Sequence, residues 1–302
     1  MKAEQLVVQD RTLKWGVRTY VMGILNITPD SFSGDGVLAS NGEVTDAILE
    51  AVLSQAQRHA ACGVDILDIG GESTRPGSSP ITEQEELRRV IPVITAVANK
   101  LDVLISVDTY RASVADAAVL CGADIVNDVW GLRADPDLAS VAARHGVPVI
   151  LMHNRSSWAH AEIRERLGGR FVSAPYADLL EDISRELLES VAIAARAGVP
   201  PERIILDPGI GFGKTVEQNL ELINRLDVIR SLGYPVLVGP SRKSFIGYTL
   251  DLPPDQRFEG TAAAVAVSIT RGADIVRVHD VEPLMRVVRM TDAIVRPRRD
   301  PE

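Results

Sequence analysis

Six times in this sequence a glycine follows an alanine-rich, helix-like stretch and opens a short apolar run that ends on a polar residue. The six segments are CGVDILDIGG (62–71), CGADIVNDVWG (121–131), HGVPVILMHN (145–154), AGVPPERIILDPG (197–209), LGYPVLVGPSRK (232–243) and RGADIVRVHD (271–280). A glycine in this place is expected as the left-handed cap of a helix C-terminus. Runs such as Ile66–Ile69, Val147–Met152 and Ile275–Val278 are nearly all apolar, as strands buried on both faces must be. Two further strands, Tyr20–Ile27 and Val103–Val107, lack the glycine introduction. Helical segments follow each strand, at roughly 43–61, 83–99, 111–120, 137–144, 175–196, 217–231, 259–270 and 281–293.

Eight strand–helix units in one chain of 302 residues predict a single α/β (β/α)₈ TIM barrel. An open doubly wound sheet is the runner-up, but it calls for an early GxGxxG turn and a split point, and neither is present. Leu6–Gln9 and Leu13–Trp15 read as a short N-terminal β-hairpin that caps the barrel floor. The division is therefore a hairpin segment at 1–18, a barrel at 19–295 and a charged tail at 296–302. Hydrophobic residues make up 46% and aromatics only 4%, so the interior must be aliphatic.

A net charge of −9 argues against nucleic acid or an anionic membrane as a bulk partner. The longest apolar runs are too short to span a bilayer. Cys62 and Cys121 lack metal-type spacing, and the N-terminus lacks a secretory signal, which implies reduced thiols in a cytoplasmic protein.

In a parallel barrel the active site lies at the C-terminal ends of the strands. Read in order, those ends carry Asn26, Asp68, Asp108, Asn127, His153 after Met152, Asp207, Ser241 to Ser244, then Arg277 and His279. Any one of them has a bland reading as a cap of the next helix. A polar group on every strand end is harder to dismiss, because buried polar groups need partners; the ring implies a polar ligand. Arg75, Arg242, Lys243, Arg277 and His279 form a basic focus in an acidic protein, which suits an anionic small molecule such as a phosphate ester. The alternative is that these cations only neutralise neighbouring carboxylates. DPGIGFGKT (207–215) ends like a phosphate-cradling loop, but that motif needs glycine where Pro208 stands.

The segments GILNITPDSFS, LDIGGESTRPG, SVDTYR, VNDV, LDPGIGFGK, GPSRKSFIG and RVHDV, in this order, closely resemble the dihydropteroate synthase family of folate biosynthesis, over roughly residues 20–290. The resemblance implies condensation of 6-hydroxymethyl-7,8-dihydropterin pyrophosphate with p-aminobenzoate, releasing pyrophosphate, with Mg²⁺. It also implies a sulfonamide target and a homodimer built through helices of the barrel wall. Residue by residue, it places Asp108, Asn127, Met152 and Asp207 against the pterin, with Lys243 donating to the ring and Arg277 lying on its face. Asn26, Arg277 and His279 would hold the pyrophosphate, and Asn26 would also be a Mg²⁺ ligand. Phe32, Thr74, Arg75, Pro76 and Ser244 would form the p-aminobenzoate pocket, and TPDSFS a lid. The catalytic set would be Asp207, Lys243, Arg277 and Asp35.

Two departures from the family pattern stand out. The family's SFSDGG reads SFSGDG here, which moves the loop aspartate one place along, to Asp35. The segment Asn154–Ala174 is longer than usual and reads as an irregular excursion with one or two helical turns. Two rivals remain. A methyltetrahydrofolate-dependent methyltransferase would have no need of SRKS or STRPG. A non-catalytic pterin-binding paralogue should have lost site residues that are present here.

Overall fold

All six glycines of the recurring phrase, Gly63, Gly122, Gly146, Gly198, Gly233 and Gly272, have positive φ in a computed structural model of the chain. The structure describes residues 4–28, 44–74, 76–156, 161–164, 166–172 and 175–296. Each of these glycines ends a helix or helical turn and redirects the chain into the next strand, with φ values that a side chain would resist.

The chain opens with a hairpin of β1 (Gln5–Val8) and β2 (Arg11–Lys14), with Leu6 opposite Leu13. Eight parallel strands follow: β3 (Tyr20–Asn26), β4 (Ile66–Gly70), β5 (Leu104–Asp108), β6 (Ile125–Asp128), β7 (Val149–Met152), β10 (Ile204–Asp207), β11 (Leu237–Val238) and β12 (Ile275–Val278). They pair in the order β10-β7-β6-β5-β4-β3-β12-β11, and a parallel bridge between Leu206 and Val236 closes the ring. Around it lie α1 (Asp46–Ala61), α2 (Glu83–Lys100), α3 (Ala112–Leu120), α4 (Leu138–His145), α5 (Leu179–Ala197), α6 (Val216–Asn224), α7 (Leu226–Arg230), α8 (Ser244–Leu250), α9 (Phe258–Thr270) and α10 (Val281–Val295). The predicted (β/α)₈ barrel is the observed fold.

Side-chain caps start several of these helices. Thr82 accepts from the Glu85 amide at 3.2 Å, and Thr215 forms a reciprocal capping box with Gln218. The barrel floor is apolar. Met22, Ile66, Leu104, Ile125, Ile150, Ile205, Leu237 and Ile275 converge there on Leu6, Val8, Leu13 and Trp15 of the hairpin region. The hairpin is thus the predicted cap, and Trp15 meets Tyr20 edge-on at 5.7 Å.

Three expectations need correction. The excursion at Asn154–Ala174 holds no helical turn among its described residues; it forms an antiparallel hairpin of β8 (Ala161–Arg164) and β9 (Gly168–Phe171). The single helix expected at 217–231 is two, α6 and α7, with Arg225 at their junction. Finally, β11 is only two residues long and is followed by α8, which was not expected. Gly239 and Pro240 end the ladder early, since proline has no N–H to donate. The tail after Arg296 lies outside the described residues.

Candidate active site

On four of the eight strands, one step along the inward face changes the barrel from apolar to polar. Ile66 gives way to Asp68, Ile125 to Asn127, Ile205 to Asp207 and Ile275 to Arg277. Alternation puts residues i and i+2 on one side of a strand, so the floor and the mouth are separated by about 7 Å.

At the centre of the mouth, Arg277 ties three strands together. Its Nε donates to Asp68 at 2.6 Å and its Nη2 to Asp108 at 2.7 Å. Asp68 is fully buried, and it also accepts from Asn127 Nδ2 at 3.2 Å. Burial opposes the guanidinium charge, but Asp68 and Asp108 outweigh it and raise the Arg277 pKa. Burial pushes the Asp108 carboxyl up to about 7, with Arg277 pulling it down and Asp68 pushing it further up.

Asp207, 6% exposed, faces this group from β10. Its Oδ1 accepts from the Gly209 amide at 2.7 Å. Burial raises its pKa, opposed chiefly by Lys243. Lys243 caps α8 and reaches back to the Ile210 carbonyl, and its ammonium lies 4.3 Å from the centre of the Phe212 ring. Burial lowers Lys243 to about 8 while Asp207 pulls it back up. His279 is held from Ser241, whose hydroxyl lies 3.0 Å from Nδ1.

The structure therefore brings together Asp108, Asn127, Asp207, Lys243 and Arg277, with Met152 buried beside Phe212 in a small apolar cluster. Asn26 ends β3 beside Gly70, and Thr74, Pro76 and Ser244 lie on half-buried loop or helix-start positions. Phe32, Asp35 and Arg75 fall outside the described residues. Glu72, three residues before Arg75 on the same loop, is bound by Arg111 at 2.7 Å. Arg242 does not join the cations at the mouth: its exposed guanidinium pairs with Asp280 at 2.9 Å, so that part of the basic focus belongs to the rim. The alternative of neutralisation by neighbouring carboxylates describes the ion pairs of Arg277 and Arg242.

The sequence reading gave no role to a buried network under the Gly209–Gly213 loop. Lys214, only 5% exposed, donates to the Gly209 carbonyl at 2.9 Å and to the Phe212 carbonyl at 3.0 Å. The third neighbour of its ammonium is His153 Nδ1 at 3.1 Å, and His153 Nε2 faces Glu186 at 3.1 Å. Arg155 Nε closes the chain on Glu186 at 2.9 Å. Burial lowers Lys214 to about 7. The available signal was on α5, where Glu186 sits within the helical stripe Ile183, Leu187, Ser190 and Ala194, a carboxylate on a core-facing row. Gly209 is needed because its backbone lies against His153: a side-chain carbon there would come within 1.9 Å of the His153 carbonyl oxygen.

The family model described as pterin binding enzyme matches residues 22–279. A dihydropteroate synthase of Bacillus subtilis is 51% identical over 283 residues, 94% of this chain and 91% of that protein. A Clostridium difficile dihydropteroate synthase solved in the presence of pteroic acid superposes with a TM-score of 0.83 at 45% identity, covering 93% of this chain and 98% of the other. A Xanthomonas albilineans dihydropteroate synthase with 4-aminobenzoic acid gives a TM-score of 0.84 at 38% identity, covering 97% and 98%. The chain belongs to the pterin-binding enzymes, in the dihydropteroate synthase family.

Proposed function

We propose that this barrel mouth condenses 6-hydroxymethyl-7,8-dihydropterin pyrophosphate with p-aminobenzoate, and that its residues divide into a deep pterin half and an outer p-aminobenzoate half. The observation that carries the reading is the Asp68–Arg277–Asp108 arrangement, with Asn127 and Asp207 beside it. A pterin presents amino and ring N–H donors next to acceptor nitrogens. Carboxylates and an amide from neighbouring strands match the donors, and Lys243 supplies the acceptors. Arg277, held flat by two carboxylates, offers its face to the ring, a contact that lysine could not replace. Asp68 touches no ligand in this scheme; it positions Arg277 and Asn127 from below.

Departure of pyrophosphate leaves a cation shared by the pterin methylene and its ring. The side chains that meet the leaving charge are Arg277, held by Asp68 and Asp108, and His279, held from Ser241, so little reorganisation is needed as charge develops. Asp207 supplies the compensating negative charge near the cation. Phe32 of the TPDSFS lid, Asp35 just beyond it and Arg75 complete the assignment on the basis of the family resemblance. Asn26 would offer a magnesium ion one neutral amide oxygen, a donor type that this hard cation accepts. The ion would neutralise part of the pyrophosphate charge.

No covalent nucleophile is required. Cys62 and Cys121 cap the C-termini of α1 and α3, at the floor end of the barrel. A homodimer and a cytoplasmic setting belong to the same proposal. Apolar Val267 on α9 and Met290 and Ile294 on α10 are exposed on adjacent helices, which supports an interface there. Among the described residues no helix is long and apolar enough to cross a membrane.

The test is pyrophosphate release from the pterin pyrophosphate with and without p-aminobenzoate, with methyltetrahydrofolate turnover run alongside. Release that depends on p-aminobenzoate is expected. Absence of release in both conditions, or methyl transfer in its place, removes the reading.

A further inference from the structure

The β8–β9 hairpin is the one insertion whose place in the site nothing above explains. It does not hang in solvent. Phe171 at the end of β9 is 4% exposed and stacks on Phe212, centroids 5.8 Å apart and planes at 26°. Phe212 in turn carries the Lys243 ammonium over its ring. The hairpin thus continues the apolar cluster of Val129, Met152 and Phe212 outward from the end of β7.

Two more contacts join the hairpin to separate loops. The Gly169 backbone lies so close to the Ser73–Gly77 loop that a side-chain carbon on it would stand 2.8 Å from the Pro76 carbonyl oxygen. On the other side, Arg257, 3% exposed, donates to the Leu167 carbonyl at 2.7 Å and to the Arg242 carbonyl at 3.0 Å. That guanidinium clamps the hairpin to the Ser241–Ser244 segment. Arg170 and Arg164 also lie over the Tyr248 ring of α8, at 4.8 and 5.2 Å.

We propose that the β8–β9 hairpin is the outer wall of the p-aminobenzoate subsite, and that Phe171 is a positioning residue that sets Phe212 and, through it, the width of that subsite. The inference rests on the two-half reading above. Three segments, carrying Pro76, Phe212 and Ser244, are each fastened to the hairpin by a different contact, and the last two also meet directly where Lys243 reaches Ile210 and Phe212. A small, flat, rigid aromatic amine needs a slot whose walls do not drift. Loops alone are poor at holding such a geometry, whereas a paired strand is better. The deep pterin half is built on strand ends, with Met152 sharing the apolar cluster of Phe171 and Phe212.

The test compares Phe171→Ala, Phe171→Tyr and Phe212→Ala, reading KM for p-aminobenzoate, calorimetric affinity for pterin pyrophosphate, and thermal melting. Phe171→Ala is expected to raise KM for p-aminobenzoate about threefold to tenfold, the range of one stacked aromatic pair, with pterin affinity kept within about twofold. Phe171→Tyr, which keeps the ring, is expected to restore most of the loss. If Phe212→Ala raises that KM while Phe171→Ala does not, the hairpin is only structural and the inference fails while the subsite reading stands. If neither variant changes it, the subsite reading fails and takes the inference with it. An equal loss for both substrates also overturns the inference. Should Phe171→Ala not fold, Gly169→Ala, which pushes the hairpin off Pro76, provides the same readout, and an unchanged KM overturns it.

Discussion

The floor and the mouth of this barrel are built on the same strands, one inward position apart, yet they are held by opposite physics. The floor is a dry layer of Ile66, Ile125, Ile205 and Ile275 sealed by the N-terminal hairpin. Its worth is apolar area removed from water, about 25 cal/mol per Å². The mouth sets Asp68, Asp207 and Arg277 in the next layer with Asp108 and Lys243 beside them; desolvation opposes the charges of Asp108, Asp207, Lys243 and Arg277, and mutual pairing makes them tolerable. The floor is replaceable in kind, since other apolar side chains of similar volume would serve. The mouth is not, since each group is partnered by a particular other.

The sharpest way to break the contrast is Arg277→Ala, where function and stability should fall together. Pterin pyrophosphate binding should weaken more than about tenfold through loss of a charge-assisted contact. Stability at pH 8 should drop by roughly 3–5 kcal/mol, because Asp68 and Asp108 are left buried without their cation. The stability loss should shrink toward acid pH as the stranded carboxylates take up protons. Denaturant unfolding at the two pH values checks this, and a pH-independent loss would mean the carboxylates are not stranded.

Next in size is Ile205→Ala on the floor, expected to cost about 2–5 kcal/mol in the same unfolding measurement. Both KM values should stay where they are. A shifted KM for the pterin substrate would show that floor and mouth are mechanically one unit, and the contrast would have to be dropped.

The last effect is a slope. The Asp108 carboxyl is raised from an ordinary value near 4 to about 7 in the folded chain. Between those values the folded state holds more proton than the unfolded state, so this group's contribution is complete below about pH 4 and is lost as pH rises through 7. Asn mimics the protonated acid, so the stability of wild type relative to Asp108→Asn should decline across that window. A flat difference between the two proteins from pH 4 to 8 would show that Asp108 titrates normally.

Much of the fold was legible because backbone constraints repeat. Gly63, Gly122 and their four counterparts all needed positive φ, and that need marked six of the eight units. The mouth was legible because polar residues interrupt apolar runs at strand ends, as at Asp68, Asn127 and Asp207. What could not be read depended on contacts between distant segments. Glu162 to Leu167 is rich in residues that favour helix, and local propensity favoured turns of helix there. Packing of Phe171 on Phe212 and Gly169 against Pro76 outweighed it and fixed a hairpin. Asp68 was seen at a strand end, but its task of holding Arg277 involves a partner 209 residues away. Lys214 was hidden by its own motif, because the letters around it spell a phosphate loop while its partners, the His153 ring and the Gly209 carbonyl, depend on the fold.

That loop has the reverse polarity of the one it mimics. A phosphate cradle turns its amides inward to surround an anion. Here the Gly209 and Phe212 carbonyls turn inward instead, and the ammonium of Lys214 fills the space between them. The segment behaves as a miniature ionophore that carries its cation covalently, independent of any salt in the medium. Restoring glycine at Pro208 would complete the letters of a nucleotide motif without making one, because the hollow is already taken by a charge of the wrong sign. The spelling of a glycine-rich turn tells how closely backbone can approach something; which end of the peptide dipole faces it is decided by what the neighbouring strands place underneath.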